Sequence, residues 1–234
     1  MGAVLLLWDI DHTLTENNGV NKETYALAFE LLTGRQAVHM ARTEGRTEPE
    51  IMRGMLASHG IEPVPGHAAR MTGALEAATL ANAAKLRERG HELPGARAAL
   101  TAFQAAPEVV QSVLTGNIRP DAVTKLAAFG LDSFIDFEAG GYGGDADDRP
   151  GLVPVAQKRA ATRYDTDFTA ANTVLIGDTP RDVQAGRLGG AHVVAVATGT
   201  DGMDELLAEG ADVVLPSLAD TRAVLAAVRR ALSS

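Results

Sequence analysis

The sequence predicts an α/β protein: a doubly wound, Rossmann-like parallel sheet with an all-helical domain inserted near its start. Three observations predict it. Short apolar runs bounded by turn residues recur at 3–8, 109–114, 173–176, 192–196 and 213–215, as expected of strands buried on both faces. From the second run onward, each is followed by a helix-length segment, and such alternation gives parallel strands joined by right-handed crossovers. Between residue 21 and about residue 89 there are helical patterns and no convincing strand, so this block interrupts the alternation. The expected division is a core of residues 1–16 and 92–234 and a helical cap of residues 17–91.

The elements follow in order. Val4-Leu5-Leu6-Leu7-Trp8 is continuously apolar, which reads as a central strand, and Glu16-Asn17-Asn18-Gly19 is a turn cluster. Tyr25, Leu27, Ala28, Leu31 and Leu32 recur at helical spacing, and Gly34 suits the helix end. Glu48-Pro49-Glu50 opens a helix over 51–58 that Gly60 stops; Pro63 and Pro65 break the chain; 67–89 is one long helix ended by Gly90. Leu93-Pro94-Gly95 begins a helix to 105. The run 109–114 ends in Thr115-Gly116-Asn117, and Arg119-Pro120-Asp121 opens a helix to 129. Residues 134–137 read as a short strand, followed by a glycine-rich loop at 140–144 and the acidic Asp145, Asp147 and Asp148. Arg149-Pro150 starts a helix to about 164, and the run 173–176 leads into Gly177-Asp178-Thr179-Pro180-Arg181-Asp182 and a helix to 188. After the strand 192–196 come a short helix at 203–207, the strand 213–215, and a final helix starting at Ser217 with Asp220 three residues on, a capping-box variant.

Composition narrows the function classes. The 234 residues carry a net charge of −9 with no run of Lys or Arg, which argues against nucleic acid and anionic membranes as partners. Cysteine is absent, so disulfides, thiolate zinc sites and cysteine nucleophiles are excluded. No apolar run reaches membrane-spanning length, and the N-terminal run is too short for a signal segment. The expectation is a cytoplasmic protein, monomer or homodimer.

The chemistry concentrates at strand ends. Asp9 and Asp11 leave the first strand two residues apart, and carboxylates this close raise each other's pKa unless a cation sits between them. The stretch therefore asks for a divalent metal, and a metal held by carboxylates usually serves phosphate chemistry. The strand ending in Thr115, Gly116 and Asn117 and the one ending in Gly177, Asp178 and Asp182 would emerge on the same sheet edge as Asp9, Asp11 and Thr13. Oxygen-only ligands suit Mg²⁺, while threonine hydroxyls and helix-start N–H groups hold phosphate oxygens. Asp182 also occupies a helix-capping position after Thr179-Pro180. His39, His59, His67, His91 and His192 show no metal-ligand spacing.

Asp9-x-Asp11-x-Thr13, Thr115-Gly116-Asn117 and Gly177-Asp178-x-x-x-Asp182 resemble motifs one, two and four of the haloacid dehalogenase superfamily. The helical insert is similar to the cap of its subfamily I, which includes phosphoglycolate phosphatases and β-phosphoglucomutases. The resemblance implies a Mg²⁺-dependent phosphatase acting on a small phosphorylated metabolite. Asp9 would be the nucleophile and Asp11 the general acid and base. Asp9, Asp11 through its backbone carbonyl, Asp178 and Asp182 would hold the metal. Thr13, Thr115, Gly116 and Asn117 would bind phosphate, with Arg46 in the cap stretch Glu44-Gly45-Arg46-Thr47 meeting a further anionic group or standing solvated. Two departures stand out. His12 replaces a usual glycine, and the motif-three lysine is represented by Arg149, with Lys158 as the rival. Alternatives are a β-phosphoglucomutase-type phosphotransferase, a 2-haloacid dehalogenase and a catalytically idle binding protein.

Overall fold

Five consecutive apolar residues have no face to offer solvent, and β1 (Val4–Trp8) is buried at every position. The structure, a computed structural model, describes residues 2–43, 45–62, 64 and 66–233. Glu44, Pro63 and Pro65, named above, lie outside the described residues. After β1 come β2 (Thr15–Glu16), the helices α1 (Val20–Thr33), α2 (Glu48–Ser58) and α3 (His67–Arg89), and β3 (His91–Glu92). Alternation then sets in: α4 (Ala96–Gln104), β4 (Val109–Thr115), α5 (Arg119–Ala127), β5 (Gly141–Tyr142), α6 (Leu152–Tyr164) and β6 (Thr173–Gly177). It continues through α7 (Pro180–Gly189), β7 (His192–Val196), α8 (Met203–Glu209), β8 (Val213–Leu215) and α9 (Thr221–Ala231).

The described residues form a six-stranded parallel sheet in the order β5-β4-β1-β6-β7-β8. This is the predicted doubly wound α/β architecture. β1 pairs with β4 on one side and β6 on the other, Leu5 lying opposite Val110 and Thr173. The strand order reverses there, and open parallel sheets place their sites outside the carboxyl ends at such a reversal. Side-chain alternation covers both faces. Val4, Leu6 and Trp8 join Leu100, Phe103, Leu126 and Val228 of α4, α5 and α9. Leu5 and Leu7 point the other way, to Leu152, Val153, Ala156 and Ala185 of α6 and α7.

The helices α1, α2 and α3 build a hydrophobic cluster of their own around Phe29, Leu32, Met52, Leu56 and Leu75. The chain reaches them through β2 and returns through β3, and these two short strands pair antiparallel, Thr15 opposite Glu92 and Glu16 opposite His91. α2 starts on a full capping box: Thr47 accepts from the Glu50 N–H, and the Glu50 carboxylate accepts from the Thr47 N–H at 2.8 Å.

Three expectations need correction. Residues 134–137 do not form a strand; Asp132–Phe134 is a single 3-10 turn, and the edge strand is Gly141–Tyr142 inside the glycine-rich stretch. Phe134 and Phe137 pack half-buried against the core, so their hydrophobicity reflects packing rather than strand pairing. α6 begins at Leu152, because the Asp148 carboxylate accepts from the Gly151 N–H at 2.9 Å and holds Arg149-Pro150 in the preceding turn. α9 begins at Thr221, with Asp220 itself the cap, accepting from the N–H groups of Arg222 and Ala223 at 2.9 and 3.1 Å. No described helix is long and apolar enough to cross a membrane.

Candidate active site

Strand pairing carries Asp9 to the sheet edge: its N–H donates to the Ile176 carbonyl of β6 at 2.8 Å. The chain then turns back, with the N–H groups of Leu14 and Thr15 both donating to the Ile10 carbonyl at 2.9 Å. His12 takes a φ of +61° in this turn, a conformation that suits glycine and that histidine tolerates. Its ring meets the Glu16 carboxylate at 2.8 Å. A cavity of about 290 Å³ opens above this edge. Asp9, Asp11, Thr115, Asn117, Arg149 and Asp178 wall it on the sheet side, and Lys22, Tyr25, Thr43 and Arg46 face it from the helical insert.

Three carboxylates converge at its base. Oxygens of Asp9, Asp178 and Asp182 lie within 4.8 Å of one another, and all three residues are buried. This is the sole cluster of its kind among the described residues. Asp182 serves two partners. One oxygen accepts from the N–H and hydroxyl of Thr179 at 3.0 and 2.7 Å, closing the capping box of α7; the other accepts from Arg149 at 2.5 Å. Arg149 also donates to Asp9 Oδ1 at 2.8 Å. Arg149 is buried, whereas Lys158 is exposed on α6, so the guanidinium is the cation at the site.

One guanidinium does not balance three buried carboxylates. Burial is the largest influence on Asp9 and pushes its carboxyl up to about 7; Arg149 opposes this, while Asp182 and Asp11 add to it. Burial likewise pushes Asp178 well above the ordinary carboxylate range, with Asp182 and Asp9 adding repulsion. The Thr13 hydroxyl donates to Asp178 Oδ1 at 3.0 Å, but the buried Oδ2 has no hydrogen-bond partner among the described residues. A Cβ on Gly199 would stand 2.0 Å from that oxygen, so glycine keeps the space beside it open. An orphaned carboxylate oxygen in an all-oxygen cluster short of positive charge fits a hard divalent cation.

The remaining expected residues are placed as follows. Thr115, Gly116 and Asn117 reach the cavity at the end of β4. Asn117 donates through its N–H and side-chain amide to Thr115 Oγ1, at 3.3 and 2.7 Å. Gly116 lets the insert loop seat, since a Cβ there would meet the Arg46 carbonyl at 2.3 Å. Thr13 does not line the cavity; its hydroxyl is spent on Asp178. The Asp11 carboxylate stands apart from the acidic cluster and accepts from Asn21, Asn117 and Lys125. Burial alone would raise this carboxyl; the Lys125 ammonium and the hydrogen bonds from Lys125, Asn117 and Asn21 outweigh it and hold it at about 2. Asp145, read as a loop acid, pairs with Arg159.

Lys125 and Glu48 escaped the sequence reading. Asp121, Ala122, Lys125 and Leu126 make up the buried stripe of α5, and a lysine on such a stripe is the detectable sign of a paired ammonium. Glu48 is buried at the start of α2, its carboxylate accepting from the Ile118 N–H at 2.7 Å. A first-turn glutamate looks like a surface charge until the insert is seen to dock there.

Solved structures match this fold over nearly the whole chain. A predicted phosphatase from Clostridium acetobutylicum shares 16% identity at a TM-score of 0.68, covering 97% of this chain and 100% of its own. A candidate β-phosphoglucomutase from Bacteroides vulgatus shares 19% at 0.65, covering 100% and 91%. A predicted phosphoglycolate phosphatase from Haemophilus somnus shares 14% at 0.63, covering 95% and 98%. No curated protein matches the sequence. The haloacid dehalogenase-like hydrolase family matches residues 6–187, which include every strand-end motif described above, and the chain belongs to that family.

Proposed function

We propose that the protein is a Mg²⁺-dependent phosphatase hydrolysing a small phosphorylated metabolite through an aspartyl-phosphate on Asp9. The observation that carries this reading is the convergence of Asp9, Asp178 and Asp182 beside Arg149 at one strand edge. Mg²⁺ would be held by Asp9, Asp178 and the Asp11 carbonyl, with Asp182 beside them, and would neutralise charge on the transferring phosphoryl group. Asp9 Oδ1 is engaged by Arg149, which leaves Oδ2 to attack phosphorus. Asp11 is held ionised in the free protein, so for the acid role it takes up a proton as the substrate enters; as the phosphorus–oxygen ester bond breaks, it passes that proton to the leaving oxygen. It then takes a proton from water, whose oxygen attacks the phosphoenzyme and restores Asp9 with release of phosphate. Thr115 Oγ1 already accepts from Asn117, so its own proton is available to a phosphate oxygen.

Residues 17–91 act in this reading as a cap that supplies specificity. Lys22 and Arg46 line the cavity, and their charged side chains have no hydrogen-bond or ion-pair partner among the described residues. Two cations in a small cavity favour a leaving group carrying a second anion, with phosphoglycolate the leading candidate. A mutase outcome is favoured only by the likeness to the β-phosphoglucomutase-type structure, and isomerised sugar phosphate in place of free phosphate would reveal it.

The test is hydrolysis of p-nitrophenyl phosphate with Mg²⁺ and with chelator. Turnover should require the metal, and Asp9→Asn should lower it by at least about 10³-fold. Folded protein without turnover in either condition would reject the reading, and full activity of the variant would reject Asp9 as nucleophile.

A further inference from the structure

Lys125 stands behind the strand-end motifs with its side chain only 5% exposed. An ammonium this deep needs partners, and two of them belong to the site. Nζ donates to Asp11 Oδ2 at 2.8 Å and to Asn117 Oδ1 at 2.6 Å. The second contact orients the Asn117 amide. With Oδ1 taken, Nδ2 must face the other way, where it donates to Asp11 Oδ2 at 3.0 Å and Thr115 Oγ1 at 2.7 Å. Asn21, in the first turn of α1, holds the remaining Asp11 oxygen at 2.9 Å.

We propose that Lys125 is a positioning residue for the acid–base step: through Asp11 and Asn117 it sets the Asp11 carboxyl and the Thr115 hydroxyl in register with each other. The inference rests on the phosphomonoester reading above. The rival role is purely structural. Asp121 and Glu48 are also buried near Lys125, and an ammonium there would be kept simply to neutralise them. The two roles differ in what the chemistry feels. A misplaced acid harms poor leaving groups most, since an alkoxide needs its proton and p-nitrophenolate hardly does. A loosened fold harms both alike.

The experiment compares Lys125→Met with wild type, using Mg²⁺ and two substrates, p-nitrophenyl phosphate and an alkyl phosphate. The expected result is KM within about 2-fold, kcat down about 10²-fold on the alkyl ester and only a few-fold on the aryl ester. Combined with Asp11→Asn, the lysine change should add almost nothing, because both act on one step. Equal losses on the two substrates, additive losses in the double variant, or an unchanged kcat would overturn the proposal. If Lys125→Met does not fold, Lys125→Met/Glu48→Gln removes one buried acid along with the ammonium and is read by the same criteria. Failure of the hydrolytic reading shows separately, as absence of wild-type turnover on both esters, and overturns the two together.

Discussion

Asp9 and Asp178 lie where water cannot stabilise their charges, and this fixes how the site responds to pH. Both carboxyls are raised by burial, Asp9 to about 7. A raised acid favours the folded state while protonated, so the metal-free protein has that contribution in full below the ordinary aspartate range. It loses the contribution as pH rises through about 7 for Asp9. In the proposed reading a divalent ion would replace those protons. The Mg²⁺-induced rise in Tm should therefore be larger at about pH 8 than at about pH 5.5, by thermal melts at both; the reverse order would reject the cluster as the metal site. The choice between Arg149 and Lys158 is testable at the same scale. Arg149→Ala should lower turnover by about 10²-fold, while Lys158→Ala should leave it at the wild-type rate. At this scale the acids of the candidate cluster were legible in the sequence, because Asp9, Asp178 and Asp182 follow apolar runs. Lys158 reads from the sequence as a solvated mid-helix lysine and is exposed, whereas the burial of Lys125 was not legible, since a lysine inside a helix reads as solvated until its neighbours are known.

Elements were legible where hydrophobicity was continuous and illegible where it was borrowed. β7 and β8 lie at the residues expected of them, β7 buried from Val193 to Val196 and β8 half-buried at the sheet edge. The stretch 134–137 misled because its phenylalanines pack against the core without pairing, while the actual edge strand is a glycine followed by a tyrosine. The docking of α2 onto the core rests on Glu48, whose N–H donates to the Gly116 carbonyl at 2.7 Å and whose carboxylate caps Ile118. Burial, then repulsion from Asp121, pushes the Glu48 carboxyl well up. By the same sign rule, its contribution is present at low pH and lost as pH rises. Glu48→Gln keeps the acceptor and removes the charge. The variant should show a flatter decline in Tm than wild type between about pH 6 and about pH 9, read by calorimetry, and parallel curves would contradict it. Gly116 joins the same contact. Gly116→Ala puts a methyl 2.3 Å from the Arg46 carbonyl, so it should displace the insert loop and raise KM without changing the metal-induced Tm shift.

The whole molecule was legible as an alternation with one interruption, and that order has a further consequence. β1 takes its ladder partners from β4 and β6, with Val4 opposite Val109 and Leu5 opposite Thr173. Such distant pairings should make refolding slow, in the millisecond-to-second range by stopped-flow fluorescence of Trp8, well behind the mainly local contacts of α1 and α3. During synthesis, five bare apolar residues leave the ribosome before either flanking strand has been translated. The nascent chain must shield them for about a hundred residues, and the helical block translated in that interval is the first structure available to shelter them.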